Sequence, residues 1–596
     1  MTELHERIQQ ILPLVRNPAQ YVGGEWNVRR KLVTADTLRV VLVFPDTYAV
    51  GMSHLGLHIL YDVLNDVEGV CCERAFMPWV DLADELARRR LPMFSLETFT
   101  PLGEFDVVAF SLQYELTCTN VLAMLSGGGV PLHSDERSTE DPLVVAGGPG
   151  ALNPEPMADF IDLFVVGDGE ETAPLLASAL RKARAAATRR QMLLQLARAS
   201  AAFYVPALYD ANGPEGSAVH PTEEGVPLPV RAAIVRDLDA AAVPTAPLVP
   251  NTEVVHDRIG LEIMRGCVHH CRFCQAGATR RPVRLRSVDS LVRLARESYA
   301  NTGCDEISLM SLSSNDYPDL ERLLLKLDAE FRPKGVSLSV PSLRVSPGLA
   351  KLPELLVRVR KSGLTFAPEA GTAELAEIIG KDISIEDLIR GVQAAYRVGW
   401  DLVKLYFMVG LPGETEEDID AIVHLTRRIS NLRRDLGKPP ARVNVTVASF
   451  IPKPHTPLQW EPMAEGEYLR AVREKLRRAL GGRRIRLKFH SIDRSILEGV
   501  LSRGDRRLGK VIEAAWRLGA RLDAWEEQFH PELWEEAFAS CGIDPGSYAH
   551  RGRDEDETFP WSHIDVGLPD GYLLTEKRRV ETLIAKRSAG GGAGGA

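Results

Sequence analysis

Three cysteines lie close together in the segment RGCVHHCRFC, residues 265–274, which we name the cysteine loop. They are Cys267, Cys271 and Cys274, and the other cysteines of the chain are distant in sequence. Thiolates this close are typical of iron–sulfur clusters, which are usually held by four cysteines. A [4Fe–4S] cluster on three cysteines leaves one iron with an open position. The spacing therefore predicts a cluster to which a small molecule can bind.

Two other interpretations of the cysteine loop remain. A structural zinc site is closed by four ligands, and His269 or His270 would have to be the fourth. Both histidines lie between the proposed ligands, where reaching the same metal would be strained, and no second Cys-x-x-Cys pair occurs. The third interpretation is three unreactive thiols, which the spacing argues against. The cluster is the favoured interpretation.

Length and composition describe a globular protein of several domains. A chain of 596 residues is too long to fold around one hydrophobic core. Hydrophobic residues make up 45% and charged residues 26%, and no apolar run approaches the roughly 20 residues that span a bilayer. The N-terminus does not look like a signal peptide, so we expect a cytoplasmic protein that does not associate with a membrane. A net charge of −10 argues against non-specific nucleic-acid binding by the whole chain.

The first half of the chain alternates apolar strands with helices. Predicted strands lie at 39–44, 106–112, 142–148 and 163–170. Such alternation is typical of a parallel sheet in a doubly wound, Rossmann-type α/β domain. Ligands of these domains bind at the carboxyl ends of the strands.

A second series of strands begins near Arg258. The predicted strands are 258–264, 306–312, 336–340, 363–369, 402–410 and 443–450. Six strands with helices between them predict a partial or full β/α barrel, in which reactive groups lie on the loops after the strands. The cysteine loop directly follows the first of these strands.

The predicted domains follow from these patterns. They are an N-terminal lead-in over 1–36, a doubly wound domain over 37–205, a connector over 206–255, a barrel over 256–490, a helical extension over 491–588 and a disordered Gly/Ala tail over 589–596.

The cysteine loop resembles the signature of the radical S-adenosylmethionine (SAM) superfamily, with Phe273 as the aromatic residue before the last cysteine. The resemblance extends from about residue 256 to 460. It implies a [4Fe–4S] cluster on Cys267, Cys271 and Cys274 whose open iron binds the amino and carboxylate groups of SAM. Reductive cleavage of SAM would give a 5′-deoxyadenosyl radical that takes hydrogen from a substrate. A reductant such as flavodoxin or ferredoxin would supply the electron.

Further segments resemble the parts of this superfamily that contact SAM. GLTFAPEAGT is similar to the fourth-strand segment, which implies that Glu369 contacts the ribose. KLYFMVGLPGET is similar to the fifth-strand segment, which implies Met408 and Gly410 beside the adenine.

Two further SAM contacts are implied less directly. EISLMSLSS is similar to the second-strand segment that contacts the SAM amino group, with Ser311 and Ser313 where the family usually has glycines. Arg344, after the third strand, is the implied partner of the SAM carboxylate.

The first half of the chain resembles a B12-binding-type domain, on the segments FPDTYAVGMSHLG, FSLQYELTCTN and GGPGALNPEPMADFIDLFVVGDGEET. The Asp-x-His-x-x-Gly motif that supplies a histidine to cobalt is absent, because the neighbours of His54 do not match it. Cobalamin binding stays open. If cobalamin binds, methyl transfer to an unactivated carbon is the implied reaction. The implied lining residues are Ser111, Gly147, Gly148 and Glu170.

The stretch 473–488 is strongly basic, and more cations follow at 503–510. A solvated helix face is the favoured interpretation, and a polyanion-binding patch is the second. The patch would favour RNA or a ribosome-associated polypeptide as the substrate. A function of another class is an RNA- or ribosome-associated iron–sulfur binding protein, in which the cluster only stabilises the fold.

Overall fold

The structure, a computed structural model, describes residues 3–184, 186–211, 218–341 and 364–591. Its first domain is built on a six-stranded sheet with the order β2-β1-β3-β4-β5-β6. The strands are β1 Leu38–Phe44, β2 Val70–Phe76, β3 Val107–Ser111, β4 Leu143–Gly147, β5 Leu163–Val165 and β6 Phe203–Tyr204. All neighbours are parallel except β5 and β6. The predicted doubly wound domain is confirmed.

Helices flank and connect these strands. They span Glu3–Gln9, Tyr48–Gly51, Leu55–Asp66, Val80–Arg89, Cys118–Gly127, Gly169–Ala183 and Arg189–Ala199. The central strands are buried nearly throughout, as expected for a parallel sheet covered by helices on both faces. The predicted strand 163–170 was too long, because Gly167 has a φ of +100° and the next helix begins at Gly169.

The edge strand β2 was not predicted, because it carries charged residues in its middle. Arg74 is buried and forms ion pairs with Glu25 at 2.9 Å and with Glu97 at 2.6 Å. Its partners come from segments distant in sequence, so the charge is neutralised only after folding. Buried ions are tolerated when they are paired in this way.

The connector is tied to the C-terminal part of the chain. β7 Tyr209–Asp210 pairs with β8 His220–Pro221 in antiparallel fashion. β9 Val230–Arg231 pairs in parallel with β19 Ile564–Asp565.

The second domain contains all six predicted barrel strands and a seventh. One sheet consists of β10 Ile259–Glu262, β13 Glu306–Met310 and β14 Ser337–Ser339. The other consists of β15 Leu364–Glu369, β16 Leu402–Val409, β17 Arg442–Ser449 and β18 Ile485–Phe489. A short antiparallel pair, β11 Met264–Arg265 and β12 Arg284–Leu285, brackets the cysteine loop. The seventh strand, β18, overlaps the end of the basic stretch 473–488.

The helices of this domain cover the outer face of the two sheets. They span Gln275–Thr279, Val288–Thr302, Leu320–Phe331, Ala373–Ile378, Ile385–Arg397, Glu416–Asn431 and Gly466–Leu480. Alternate residues of β16, such as Val403, Leu405 and Phe407, are buried in the core beneath these helices. The residues between them therefore face the inside of the barrel.

The C-terminal extension is largely helical, as predicted. Its helices span Ile492–Ser502, Leu508–Leu518, Pro531–Cys541, Gly546–Ala549 and Tyr572–Gly591. Residues of the first three, including Val500, Ile512 and Trp534, belong to the core of the doubly wound domain. The last helix continues to Gly591, into the segment that was predicted to be a disordered tail. No helix in the described part of the chain is long and apolar enough to cross a membrane.

A group of buried ion pairs joins the two domains. Asp168, which precedes the helix Gly169–Ala183, faces Arg284 at 2.6 Å and Arg265 and Arg280 at 3.2 Å. Arg265 also contacts Glu170 at 2.6 Å. Burial alone would raise the pKa of Asp168, but Arg265 and Arg284 outweigh it and hold this pKa below its ordinary value. The charged form of Asp168 therefore stabilises the contact between the domains.

We expect Asp168→Asn to lower the stability of the protein by about 3–5 kcal/mol, because it leaves the buried guanidinium group of Arg284 without its counter-charge. The change is measured as a lower midpoint of urea unfolding. Asp565→Asn is the control, because its partner Arg231 is 3.7 Å away and both side chains are exposed. Equal shifts for the two variants would contradict a special role for Asp168.

Candidate active site

The cysteine loop is shaped by the hairpin that brackets it. Gly266 has a φ of +91°, and a Cβ there would lie 2.4 Å from the carbonyl oxygen of Arg280. Only glycine fits this close approach of two backbones. Cys274 caps the helix Gln275–Thr279, since its Sγ accepts the N–H of Gly277 at 3.3 Å. Burial raises the pKa of the Cys274 thiol.

The three cysteines are partly exposed at the carboxyl end of the first barrel strand. In the part of the chain that the structure describes, no three His, Cys, Asp or Glu side chains lie close enough together to hold one metal ion. His269 contacts Asp316 at 2.7 Å, and His270 contacts Tyr572 at 3.3 Å. Each histidine that could be the fourth ligand of a zinc ion thus has a partner outside the cysteine loop.

Contacts from three directions hold the cysteine loop in place. Arg272 is buried and donates to the carbonyls of Glu377 at 2.7 Å and Ile378 at 2.8 Å. It also contacts Glu576 of the last helix at 2.7 Å. On the other side, Asp316 binds both His269 and the hydroxyl of Ser313. The loop is thus fixed to both barrel sheets and to the C-terminal helix.

Glu369 ends β15 beside the cysteine loop, with a φ of +67°. Its Oε1 accepts a hydrogen bond from Lys381 Nζ at 3.1 Å. Burial raises the pKa of Glu369, and the positive charge of Lys381 offsets part of that rise. Lys381 Nζ also lies 6.0 Å from the ring centre of Phe273. Lys381 was not predicted, because the sequence does not show that the turn after Ala373–Ile378 returns to the cysteine loop.

The end of β16 lies in the same region. Met408 and Phe273 pack against one small hydrophobic cluster, which brings the predicted adenine segment next to the cysteine loop. Gly410 has a φ of +79°, and its N–H donates to Glu414 at 2.8 Å. Tyr468 donates its hydroxyl to the same carboxylate at 2.6 Å. Burial raises the pKa of Glu414 to about 7.

The remaining predicted SAM contacts differ in their surroundings. The Ser311 hydroxyl lies 2.9 Å from that of Ser314, and Ser311 lines a large cavity. Ser313 is buried and donates to Asp316 at 2.5 Å, so its hydroxyl serves to position the cysteine loop. Arg344 lies outside the described residues.

The large cavity, of about 810 Å³, lies between the doubly wound domain and the barrel. Ser111, Gly147, Gly148 and Glu170, predicted from the resemblance, all lie on its wall. The carboxylate of Glu170 is already bound by Arg265, at 2.6 Å. The cavity also has residues that sequence reasoning did not select, namely His54, Gln113, Arg280, Arg281 and Arg284.

One branch of this cavity is apolar and runs under the first sheet. Val40 and Val107 of the sheet face Leu64 and Leu176 of two covering helices across it. Gly148 has a φ of +100°, and a Cβ there would lie 2.7 Å from the Leu112 carbonyl. The size matches the roughly 300–1,000 Å³ of cofactor and ligand pockets. The cavity opens towards the cysteine loop, since Gly266 and Gln275 also line it.

Comparison with known proteins gives two family matches and several relatives. The family described as "Radical SAM proteins, N-terminal" matches residues 56–206. An uncharacterized protein of Methanocaldococcus jannaschii is 27% identical over 479 residues, which is 80% of this chain and 90% of that protein. A probable threonylcarbamoyladenosine tRNA methylthiotransferase of Archaeoglobus fulgidus is 27% identical over 172 residues, 26% of this chain and 39% of that protein.

The fold is similar to a solved structure, the radical SAM methyltransferase TsrM from Kitasatospora setae, described with cobalamin and a [4Fe–4S] cluster bound. The TM-score is 0.50 at 15% identity, over 93% of this chain and 100% of that one. The family described as "Radical SAM superfamily" matches residues 261–426, which include the cysteine loop and the strands that carry Glu369 and Met408. The chain therefore belongs to the radical SAM superfamily of enzymes, with a doubly wound domain before the barrel.

Proposed function

We propose that the protein holds a [4Fe–4S] cluster on Cys267, Cys271 and Cys274 and reductively cleaves SAM to modify a substrate. One observation carries this proposal: the cysteine loop follows the first barrel strand and lies against the strand ends with Glu369 and Met408. When bound and reduced, the cluster and SAM supply a 5′-deoxyadenosyl radical that takes a hydrogen atom from the substrate. A cytoplasmic flavodoxin or ferredoxin is the proposed electron donor.

The chain's own residues position the two cofactors. The thiolates of the cysteine loop would ligate three irons, and Arg272 keeps their loop against the barrel. Glu369 is the proposed partner of the hydroxyls of the SAM ribose. Lys381 puts a positive charge on the same wall, which favours an anionic group such as the SAM carboxylate. Arg344 stays a predicted second partner of that carboxylate.

Glu414 holds the loop after β16 in its shape. Its carboxylate accepts the N–H of Gly410 and the hydroxyl of Tyr468 and so fixes the segment proposed to lie beside the adenine. Its other oxygen, Oε2, is buried without a hydrogen-bond partner in the described structure. This environment disfavours the charged form.

We propose cobalamin as the occupant of the large cavity, which would make methyl transfer the class of reaction. Its apolar branch and its opening towards the cysteine loop support this assignment. His54 also lines the cavity, but its Nδ1 accepts the N–H of Leu57 at 3.2 Å, which caps a helix. Neutral histidine then carries its proton on Nε2, so neither nitrogen has a free lone pair. His54 would therefore not serve as a ligand of cobalamin.

RNA is the proposed substrate class, and one relative supports it. The Archaeoglobus protein is named as a tRNA methylthiotransferase, although it matches only 26% of this chain. The second candidate function is an RNA-associated protein with a purely structural cluster. The position of Glu369 and Lys381 beside the cysteine loop favours the enzyme, because a structural cluster needs no such wall.

We expect the cleavage of SAM to depend on the three cysteines of the cysteine loop. Protein reconstituted without oxygen and given SAM and dithionite should form 5′-deoxyadenosine, measured by mass spectrometry. Cys267→Ala/Cys271→Ala/Cys274→Ala should form none, because the cluster has no ligands. Cys304→Ala/Cys541→Ala is the control, since these cysteines are distant from the loop. A fully loaded cluster that cleaves no SAM, with RNA and hydroxocobalamin added, would support the structural role instead.

Glu414 should make the stability of the protein depend on pH. Its pKa of about 7 is above that of the unfolded chain, so its stabilising effect is complete below pH 4.5 and is lost as the pH rises through 7. The stability of the wild type relative to Glu414→Gln should fall by up to about 3 kcal/mol between pH 5 and pH 8. Urea unfolding at several pH values measures this difference. Glu416→Gln, at an exposed carboxylate nearby, is the control, and a pH-independent difference for Glu414→Gln would refute the prediction.

A larger side chain in the apolar branch of the cavity should weaken the binding of cobalamin. Ala109→Phe fills the apolar branch of the cavity from β3 and should weaken hydroxocobalamin binding at least tenfold in an absorbance titration. Ala123→Phe is the matched control, because Ala123 lines a separate cavity of about 440 Å³. Unchanged binding by Ala109→Phe would place cobalamin elsewhere or exclude it.

A further inference from the structure

The inner face of the sheet β15–β18 has a regular pattern of polar side chains. In β17, Val443, Val445 and Val447 are buried under the helices, so Asn444 and Thr446 point to the inside of the barrel. The register aligns these two residues with the neighbouring strands. One row is Lys404, Asn444 and Arg486, and the next is Tyr406, Thr446 and Lys488. We name these six residues the inner basic face.

The inner basic face is continuous with the proposed cofactor site. Lys404, Tyr406 and Met408 alternate along β16 and so share one side of the sheet. Met408 is two residues, about 6.6 Å, beyond the row that contains Tyr406 and Lys488. Glu369 ends the neighbouring strand β15 at the same carboxyl edge. A molecule that lies on the inner basic face can therefore extend to the place where the radical would form.

The cations of this face are not neutralised. Lys404, Arg486 and Lys488 form no ion pair with any residue that the structure describes, and Arg486 and Lys488 are exposed. Several cations of the preceding helix Gly466–Leu480 have acidic partners instead. Arg470 pairs with Asp493 at 2.9 Å, and Arg478 pairs with Glu474 at 3.0 Å. Several cations of this helix therefore have acidic partners, whereas the three cations of the inner basic face have none among the described residues.

An exposed aromatic ring lies among these cations. Tyr406 is 40% exposed although it is in the middle of β16. Asn444 and Thr446 beside it offer an amide and a hydroxyl for hydrogen bonds. Unpaired cations bind phosphates, and an exposed ring between them can stack on a base, which is how single-stranded nucleic acids are bound. An acidic polypeptide would use the cations but not the ring.

We propose that the inner basic face binds single-stranded RNA, with phosphates on Arg486, Lys488 and Lys404 and a base on Tyr406. This inference rests on the proposed function, because it makes this RNA the substrate of the radical chemistry. Arg486 and Lys488 are two residues apart and so lie about 6.6 Å from each other on one side of β18. This separation suits consecutive phosphates of an extended RNA chain.

The experiment compares RNA binding by two double variants of the full chain. Fluorescence anisotropy with a labelled single-stranded oligoribonucleotide measures the affinity at several salt concentrations. Arg486→Ala/Lys488→Ala should weaken binding roughly tenfold and lower the slope of log affinity against log salt by about 1.4, for two lost phosphate contacts. Arg470→Ala/Arg478→Ala removes the same charge from the outer helix and should keep the wild-type slope. Arg486→Lys/Lys488→Arg keeps the charges and should restore binding.

Tyr406→Leu tests the aromatic contact separately. It should weaken RNA binding by about fivefold or more without changing the salt slope, because stacking is not ionic. The inference is overturned if the wild type binds no RNA, if both double variants lose affinity equally, or if polyglutamate displaces the ligand and unlabelled RNA does not. SAM cleavage by the wild type is measured in parallel. Cleavage without RNA binding removes this inference alone, and RNA binding on this face without cleavage removes only the enzymatic proposal.

Discussion

The buried carboxylate of Asp168 is the interaction on which the arrangement of the two domains depends. It comes from the loop after β5, at the ligand edge of the first sheet, and it meets Arg265, Arg280 and Arg284 around the cysteine loop. Because the guanidinium groups of Arg265 and Arg284 are largely buried, that negative charge stabilises them. The same contacts bring the carboxyl ends of the strands of both domains to one cavity. Charge pairing thus helps to set the position of the cysteine loop relative to the first domain.

The elements that the sequence predicted are those with a local signal. The cysteine loop and the six barrel strands have short, uninterrupted patterns, and all are found at the expected places. The strands β2 and β18 were missed, because charged residues interrupt their apolar pattern. In β2 the charge of Arg74 is neutralised by Glu25 and Glu97, which are distant in sequence. In β18 the charges alternate with half-buried apolar residues, a pattern that was interpreted as a helix face.

The residues of the candidate site also fall into two groups, those that a local motif predicted and those that it did not. Residues inside a motif, such as Glu369 and Met408, were predicted, and the structure brings both to the cysteine loop. Lys381 and Asp316 were not, because each acts only through a partner from another loop. Glu170 lies on the cavity wall as expected, but Arg265 occupies its carboxylate. A sequence pattern can select a residue, whereas its availability for a ligand depends on pairing that only the fold reveals.

Charge pairing also explains how an acidic protein can present a cationic surface. The chain has a net charge of −10, and surface arginines such as Arg470 and Arg478 lie near acids on the same or the next helix. The strand β18 faces the inside of the barrel, where neighbouring strands present Asn444 and Thr446 instead of carboxylates. The inner face therefore presents unpaired positive charge beside the proposed cofactors. An anionic polymer would be repelled by much of the outer surface and attracted where the chemistry takes place.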